Sequence, residues 1–285
     1  MLCNNKLNKI FSSSILLLLH ILKHKSFILV QASITKKGDI LAVELIKTGV
    51  PGLDQVLKGG LRRNSNILVT GAPGTGKTIL ALQFIYYGAK DYNENGIFIS
   101  TEESLDVLDQ SAKNLGMDIA SMVSKGKIFF VQKPIATLKG GIASIKGLLD
   151  VIKKNNIKRV ALDSLIFFEY LYPRFDGNRM EYRRQVLIFM QEMKKAGVTF
   201  LVVSERAVTD FDRLTYDIMD FVFEGIIFLS RIRKGSYFER VLTVAKIRGQ
   251  DHSLDVYPVT IGTDGLKVLF DQTPFSLVEK EEGFK

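Results

Sequence analysis

Cysteine is nearly absent: Cys3 is the one thiol in 285 residues. An internal disulfide framework is therefore excluded. The composition suits a reducing compartment, and a cytoplasmic location is expected. Long apolar runs are scarce too. Ile10–Leu22 is apolar but falls short of the ~20 residues that cross a bilayer, so no stable membrane span is expected. Excess positive charge is thin outside the N-terminal stretch. The net charge is +9, and residues 1–40 carry Lys6, Lys9, Lys23, Lys25, Lys36 and Lys37 against Asp39 alone. More than half of the excess thus lies in that stretch, and the remainder is weak support for a nucleic-acid partner. What is present, 46% hydrophobic and 24% charged residues, is enough to bury a sizeable core.

Residues 1–45 differ from the rest. Lys6 and Lys9 precede the apolar run, Lys23-His24-Lys25 interrupts it, and Phe27–Val30 is apolar again. Three readings apply: a disordered or peripheral extension, a membrane-surface segment, and a signal peptide with small residues around Val30-Gln31-Ala32. The charged break argues against the signal, and the extension is preferred.

The centre of the chain is Gly71-Ala72-Pro73-Gly74-Thr75-Gly76-Lys77-Thr78. It fits G-x-x-x-x-G-K-[ST], the phosphate-binding loop. Asn66–Thr70 before it reads as a buried strand, and Ile79–Tyr87 after it has helical spacing. Glycines let the backbone approach a polyphosphate, and amides at the helix start point at the anion. Lys77 is placed for the β- and γ-phosphates, Thr78 for Mg²⁺. The loop occurs once, so a single nucleotide-binding unit is expected.

Further on, Gly96–Ser100 reads as a strand ending in Thr101-Glu102-Glu103-Ser104. Carboxyl ends of strands line the ligand crevice in open α/β sheets, so Glu102 and Glu103 are candidates to activate a water. They read equally well as acidic first-turn residues of a helix. Arg159–Asp163 is an apolar strand whose terminal carboxylate suits Mg²⁺. Between Leu165 and Arg184, Phe167, Phe168, Tyr170, Tyr172, Phe175 and Tyr182 interleave with Arg174, Arg179, Arg183 and Arg184. That mixture suits single-stranded nucleic acid or a subunit interface; the interface or a simple loop is preferred. Phe221–Leu229 predicts an apolar strand.

Arg240–His252 predicts a strand with Lys246 and Arg248 on one face. Its end could hold a γ-phosphate, or be an edge strand protected by charge. Val256–Ile261 and Leu266–Phe270 predict a closing hairpin. The elements describe an α/β fold: a mainly parallel twisted sheet, helices on both faces, and a C-terminal β-hairpin. Expected boundaries are an extension over 1–45, the nucleotide domain over 46–270 and a charged tail over 271–285.

Taken together, Thr48-Gly-Val-Pro-Gly-Leu-Asp54, the double glycine Gly59-Gly60, the phosphate loop, Ser100–Glu103, Leu162-Asp163-Ser164, Ser204-Glu205-Arg206 and Lys246–His252 resemble the KaiC/RadA branch of the RecA superfamily. The Lys-x-Arg-Gly-x-x-His run and the paired glutamates are closer to KaiC. The resemblance implies a RecA-like P-loop NTPase that hydrolyses Mg-ATP to ADP and phosphate. Glu102 would polarise the attacking water, with Glu103 beside it. Lys246 and Arg248 would enter the neighbouring subunit's site, and His252 would sit near the nucleotide across that interface. A homo-oligomer follows, as a hexameric ring.

Three functions are compatible with this resemblance: a regulatory or signalling ring with an unidentified protein partner, a recombination or repair accessory binding single-stranded DNA, and an assembly scaffold with negligible turnover. Asp220-Phe221 stands where the family's autokinase domain has adjacent Ser and Thr, so autophosphorylation is not expected there. The chain carries one such domain, and residues 1–45 do not resemble the recombinase's helix-hairpin-helix domain.

Overall fold

The computed structural model describes residues 44–132, 141–168, 179–206 and 218–277. The expectations for residues 1–43 and for Tyr170, Tyr172, Arg174 and Phe175 lie outside the described residues. No helix among the described residues is long and apolar enough to cross a membrane.

A two-stranded ribbon, β1 (Leu45–Ile46) and β2 (Leu61–Arg62), encloses a short helix α1 (Leu53–Val56) and leads into β3 (Asn66–Gly71). The loop and helix α2 (Lys77–Asp91) follow. Then come β4 (Gly96–Ser100), α3 (Leu105–Lys113), α4 (Ile119–Ser124), β5 (Ile128–Gln132), α5 (Gly141–Lys154), β6 (Arg159–Asp163), α6 (Arg179–Lys195) and β7 (Thr199–Glu205). The chain ends in β8 (Gly225–Lys234), β9 (Tyr237–Ile247), β10 (Val256–Gly262) and β11 (Gly265–Val268).

The strands form one nine-stranded sheet in the order β11-β10-β9-β8-β3-β7-β6-β4-β5. From β8 to β5 every neighbour is parallel; β8 through β11 form an antiparallel meander. Central parallel strands are covered on both faces and so read as continuous apolar runs. All six residues of β3 are buried. Alternate side chains feed two cores, as period-2 geometry requires. Ile67 and Val69 join the core under α2, α3 and α4, while Leu68 joins the one under α5 and α6.

Two expectations change here. The strand predicted from Phe221 begins at Gly225, because Ile218–Phe221 is a 3-10 turn. Its carbonyls at Asp220 and Phe221 accept from Lys246 and Arg248 and are not free for a ladder. The strand carrying Lys246 is not an edge: β9 lies between β8 and β10.

Candidate active site

The phosphate loop leaves the carboxyl end of β3, flanked by β7 and β8. Gly74 and Gly76 hold left-handed φ of 74° and 104°, which a side chain would resist. A Cβ on Gly76 would also lie 2.9 Å from Leu266 Cδ1, so the β10–β11 turn packs directly over the loop. Gln83 holds that turn by accepting from the Leu266 amide and donating to its carbonyl. Helix α2 begins at Lys77 behind a glycine cap, with no capping side chain and no acidic residue in its first turn. Its leading amides are therefore open to an anion, which the helix dipole favours.

A cleft of about 410 Å³ opens there, lined by Gly74, Gly76, Lys77, Thr78, Glu102, Glu103, Asp163, Glu205 and Arg240, among others. The Thr78 hydroxyl donates to Asp163 Oδ2 at 2.6 Å. The Lys77 ammonium donates to the Ala72 carbonyl at 2.9 Å. Burial pushes Lys77 below the ordinary lysine value, opposed by Glu205 and Asp163. Burial pushes the Asp163 carboxyl up, opposed by the Thr78 hydrogen bond and reinforced by Glu102. The peptide bond after Asp163 is cis.

Glu102 and Glu103 precede the helix and are not part of its first turn. Ser104 caps α3, and the acidic first-turn residue is Asp106. The glutamate loop is tied to β6: the Thr101 amide donates to the Asp163 carbonyl at 2.9 Å, and the Ser164 amide donates to Thr101 Oγ1 at 3.2 Å. Glu102, Glu103, Asp163, Thr78 and Lys77 thus meet in one cleft.

Among the described residues, no three carboxylate, imidazole or thiol groups gather around a metal position. Thr78 and Asp163 fit Mg²⁺ nonetheless. They are paired hard oxygens beside the loop, and this ion commonly takes one or two protein ligands and completes its shell with phosphate and water.

Two arginines were missed by sequence reasoning. Arg231 of β8 and Arg240 of β9 face each other in register. Their guanidinium groups donate to the Pro73 and Gly74 carbonyls at 3.3 and 3.4 Å. Only the pairing of β8 with β9 brings them to the loop, and no motif marks them.

Lys246, Arg248 and His252 are not in this cleft. Lys246 pairs with Ile226, three rungs before Leu229, the partner of Gly71. The Arg248 amide donates to Glu224, itself bonded to Asn66 at the start of β3. At ~3.3 Å per residue, Lys246 and Arg248 lie roughly 10 and 17 Å along the sheet from the loop of their own chain. Their side chains donate to the Asp220 and Phe221 carbonyls at 2.9 and 3.2 Å. The Nδ1 of His252 sits 2.8 Å from the Ser253 carbonyl.

The aromatic stretch resolves partly into core. Phe168 is fully buried and meets Phe189 edge-on at 4.9 Å; Phe167 is buried beside it. Neither is available to stack on a base. Arg184 pairs with Glu181, which it and Gln185 hold down to about 2.

A phosphate loop on a central parallel strand, an acid two strands away across β7 and paired glutamates one strand beyond it define a RecA-like P-loop nucleotide-binding domain. A family model described as "ATPase: KaiC" matches residues 46–273. The circadian clock oscillator protein KaiC of Picosynechococcus sp. is 30% identical over 245 residues, 84% of this chain and 47% of its own length. That of Prochlorococcus marinus subsp. pastoris is 32% identical over 237 residues, 80% of this chain and 45% of its own. A KaiC-like protein from the hyperthermophilic archaeon Pyrococcus horikoshii superposes with TM-score 0.68 at 31% identity, over 79% of this chain and 99% of that one. This chain belongs to the KaiC family of ATPases. It spans about half the length of the clock proteins it matches.

Proposed function

We propose that this chain is a cytoplasmic Mg-ATP hydrolase working as a ring, in which each nucleotide site is completed by the next subunit. The ring acts as a regulatory device whose affinity for a protein partner follows its nucleotide state. One observation carries the reading: Lys246 and Arg248 sit too far down the sheet to serve their own loop. Cations at the amino edge gain a phosphate only from a second copy.

In this mechanism the loop amides and Lys77 hold the β- and γ-phosphates. Glu102 orients the attacking water in line with the γ-phosphate, with Glu103 beside it. Mg²⁺, held by Thr78 and Asp163, would neutralise charge on the phosphate oxygens. Arg240 guards the loop from within the chain. The neighbouring subunit's Lys246 and Arg248 balance charge as the terminal phosphoryl group departs, the arginine-finger device. Its His252 flanks the nucleotide.

Native mass measured with and without Mg-ATP, with turnover followed on dilution, tests this. A nucleotide-stabilised ring whose specific activity falls as it dissociates is expected. A monomer with undiminished turnover would end the proposal.

A further inference from the structure

Arg206 stands between the two edges of the sheet. Its amide donates to the Gly71 carbonyl at 3.0 Å, stitching the end of β7 to the first residue of the phosphate loop. Its guanidinium grips Asp220 through two hydrogen bonds, 2.8 and 2.7 Å long. The Asp220 side chain is 1% exposed and that of Arg206 19%. Bidentate geometry in a buried setting fixes orientation as well as distance. The guanidinium also lies 5.7 Å from the Phe228 ring centre, which limits its freedom further.

Asp220 does more than close an ion pair. Its main-chain carbonyl accepts from Lys246, and the next carbonyl, Phe221, accepts from Arg248. The 3-10 turn that carries both carbonyls is therefore pinned on one side by Arg206. On the other it presents the two cations that the proposed mechanism assigns to the next subunit.

We propose that Arg206 and Asp220 are positioning residues for the neighbour's site: a strut from a subunit's own phosphate loop to the cations it lends. The inference rests on the reading of Lys246 and Arg248 as acting in trans. It adds a specific route by which the two nucleotide sites flanking a subunit are held in register.

Mixed rings test it. In a mixture of Lys77→Ala and Arg248→Ala subunits, the first contributes intact cations and no working loop, and the second the reverse. Turnover should reappear. Adding Asp220→Asn to the Lys77→Ala subunit should cut that recovery about tenfold, the scale expected of a small misplacement, with KM for ATP unchanged. The altered subunit hydrolyses nothing itself, so the loss has to pass to its neighbour.

Full recovery with Asp220→Asn present overturns the strut and leaves action in trans intact. No recovery without it, in rings shown by native mass to be mixed, overturns both. Should Asp220→Asn subunits fail to assemble, Arg206→Lys replaces them, since it keeps the charge and loses the fork. A partial loss then supports the strut, and undiminished recovery overturns it.

Discussion

The two edges of the parallel sheet carry different chemistry. At the carboxyl edge Lys77, Thr78, Asp163 and Glu102 gather in one cleft within a single chain. At the amino edge Lys246 and Arg248 rest on main-chain carbonyls, and the same edge carries a buried ion pair four strands away, at the start of β6. There the Arg159 Nε donates to Glu94 at 2.6 Å, and its guanidinium lies over the Phe84 ring. One edge can be understood from one copy. The other holds cations whose proposed role requires a second.

Removing a group from each edge sharpens that contrast. Arg248→Ala should lower turnover by about 10³, within the range of arginine fingers, while leaving ATP binding near its original strength. Steady-state kinetics beside nucleotide binding read this; weakened binding with unchanged turnover would contradict it. Glu102→Gln should cost about 10² in turnover, again with binding retained, because only orientation of the water is lost. An unaffected rate would move the water-activating role to another residue.

Much of the carboxyl edge was legible in the sequence, because its chemistry is local. A glycine loop between a strand and a helix announces a phosphate site, and Asp163 ends an unmistakably apolar strand. The placement of Glu102 and Glu103 before the Ser104 cap needed coordinates, since one residue decides whether an acid is helical or faces the cleft. Arg231 and Arg240 were invisible because they meet the loop only through strand pairing between β8 and β9. Phe167 and Phe168 misled in the opposite direction: their interleaving with arginines suggests a surface, and they are core. The sequence places a polar loop and turn over Ala207–Met219 and starts the strand at Phe221, whereas the 3-10 turn extends through Phe221 and is held by Lys246 and Arg248, which are distant in sequence.

Two smaller effects probe the amino edge as a structural anchor. An alanine inside a helix normally improves on glycine by up to ~1 kcal/mol. Gly88→Ala should do the reverse, because its Cβ would fall 2.4 Å from Arg159 Cδ. A loss of about 3 kcal/mol in denaturant unfolding is expected from displacing the buried guanidinium. A gain would mean that Arg159 shifts freely.

The pH dependence of stability should show Lys246. Burial, then Arg248, lowers its proton affinity beneath the ordinary lysine value of 10.5, against Asp220 and Glu224. Between the folded and unfolded values the native state binds fewer protons, so this group adds stability as pH rises through that window. Lys246→Met should flatten that rise. An unchanged slope would show that the ammonium is not held in a buried setting.

The most direct measurement is a structure of the assembly loaded with a non-hydrolysable ATP analogue and Mg²⁺. The Arg248 guanidinium should lie within roughly 3–4 Å of a phosphate oxygen bound to the adjacent subunit's loop. Finding it still on the Phe221 carbonyl, with no second chain beside the nucleotide, would contradict the shared site.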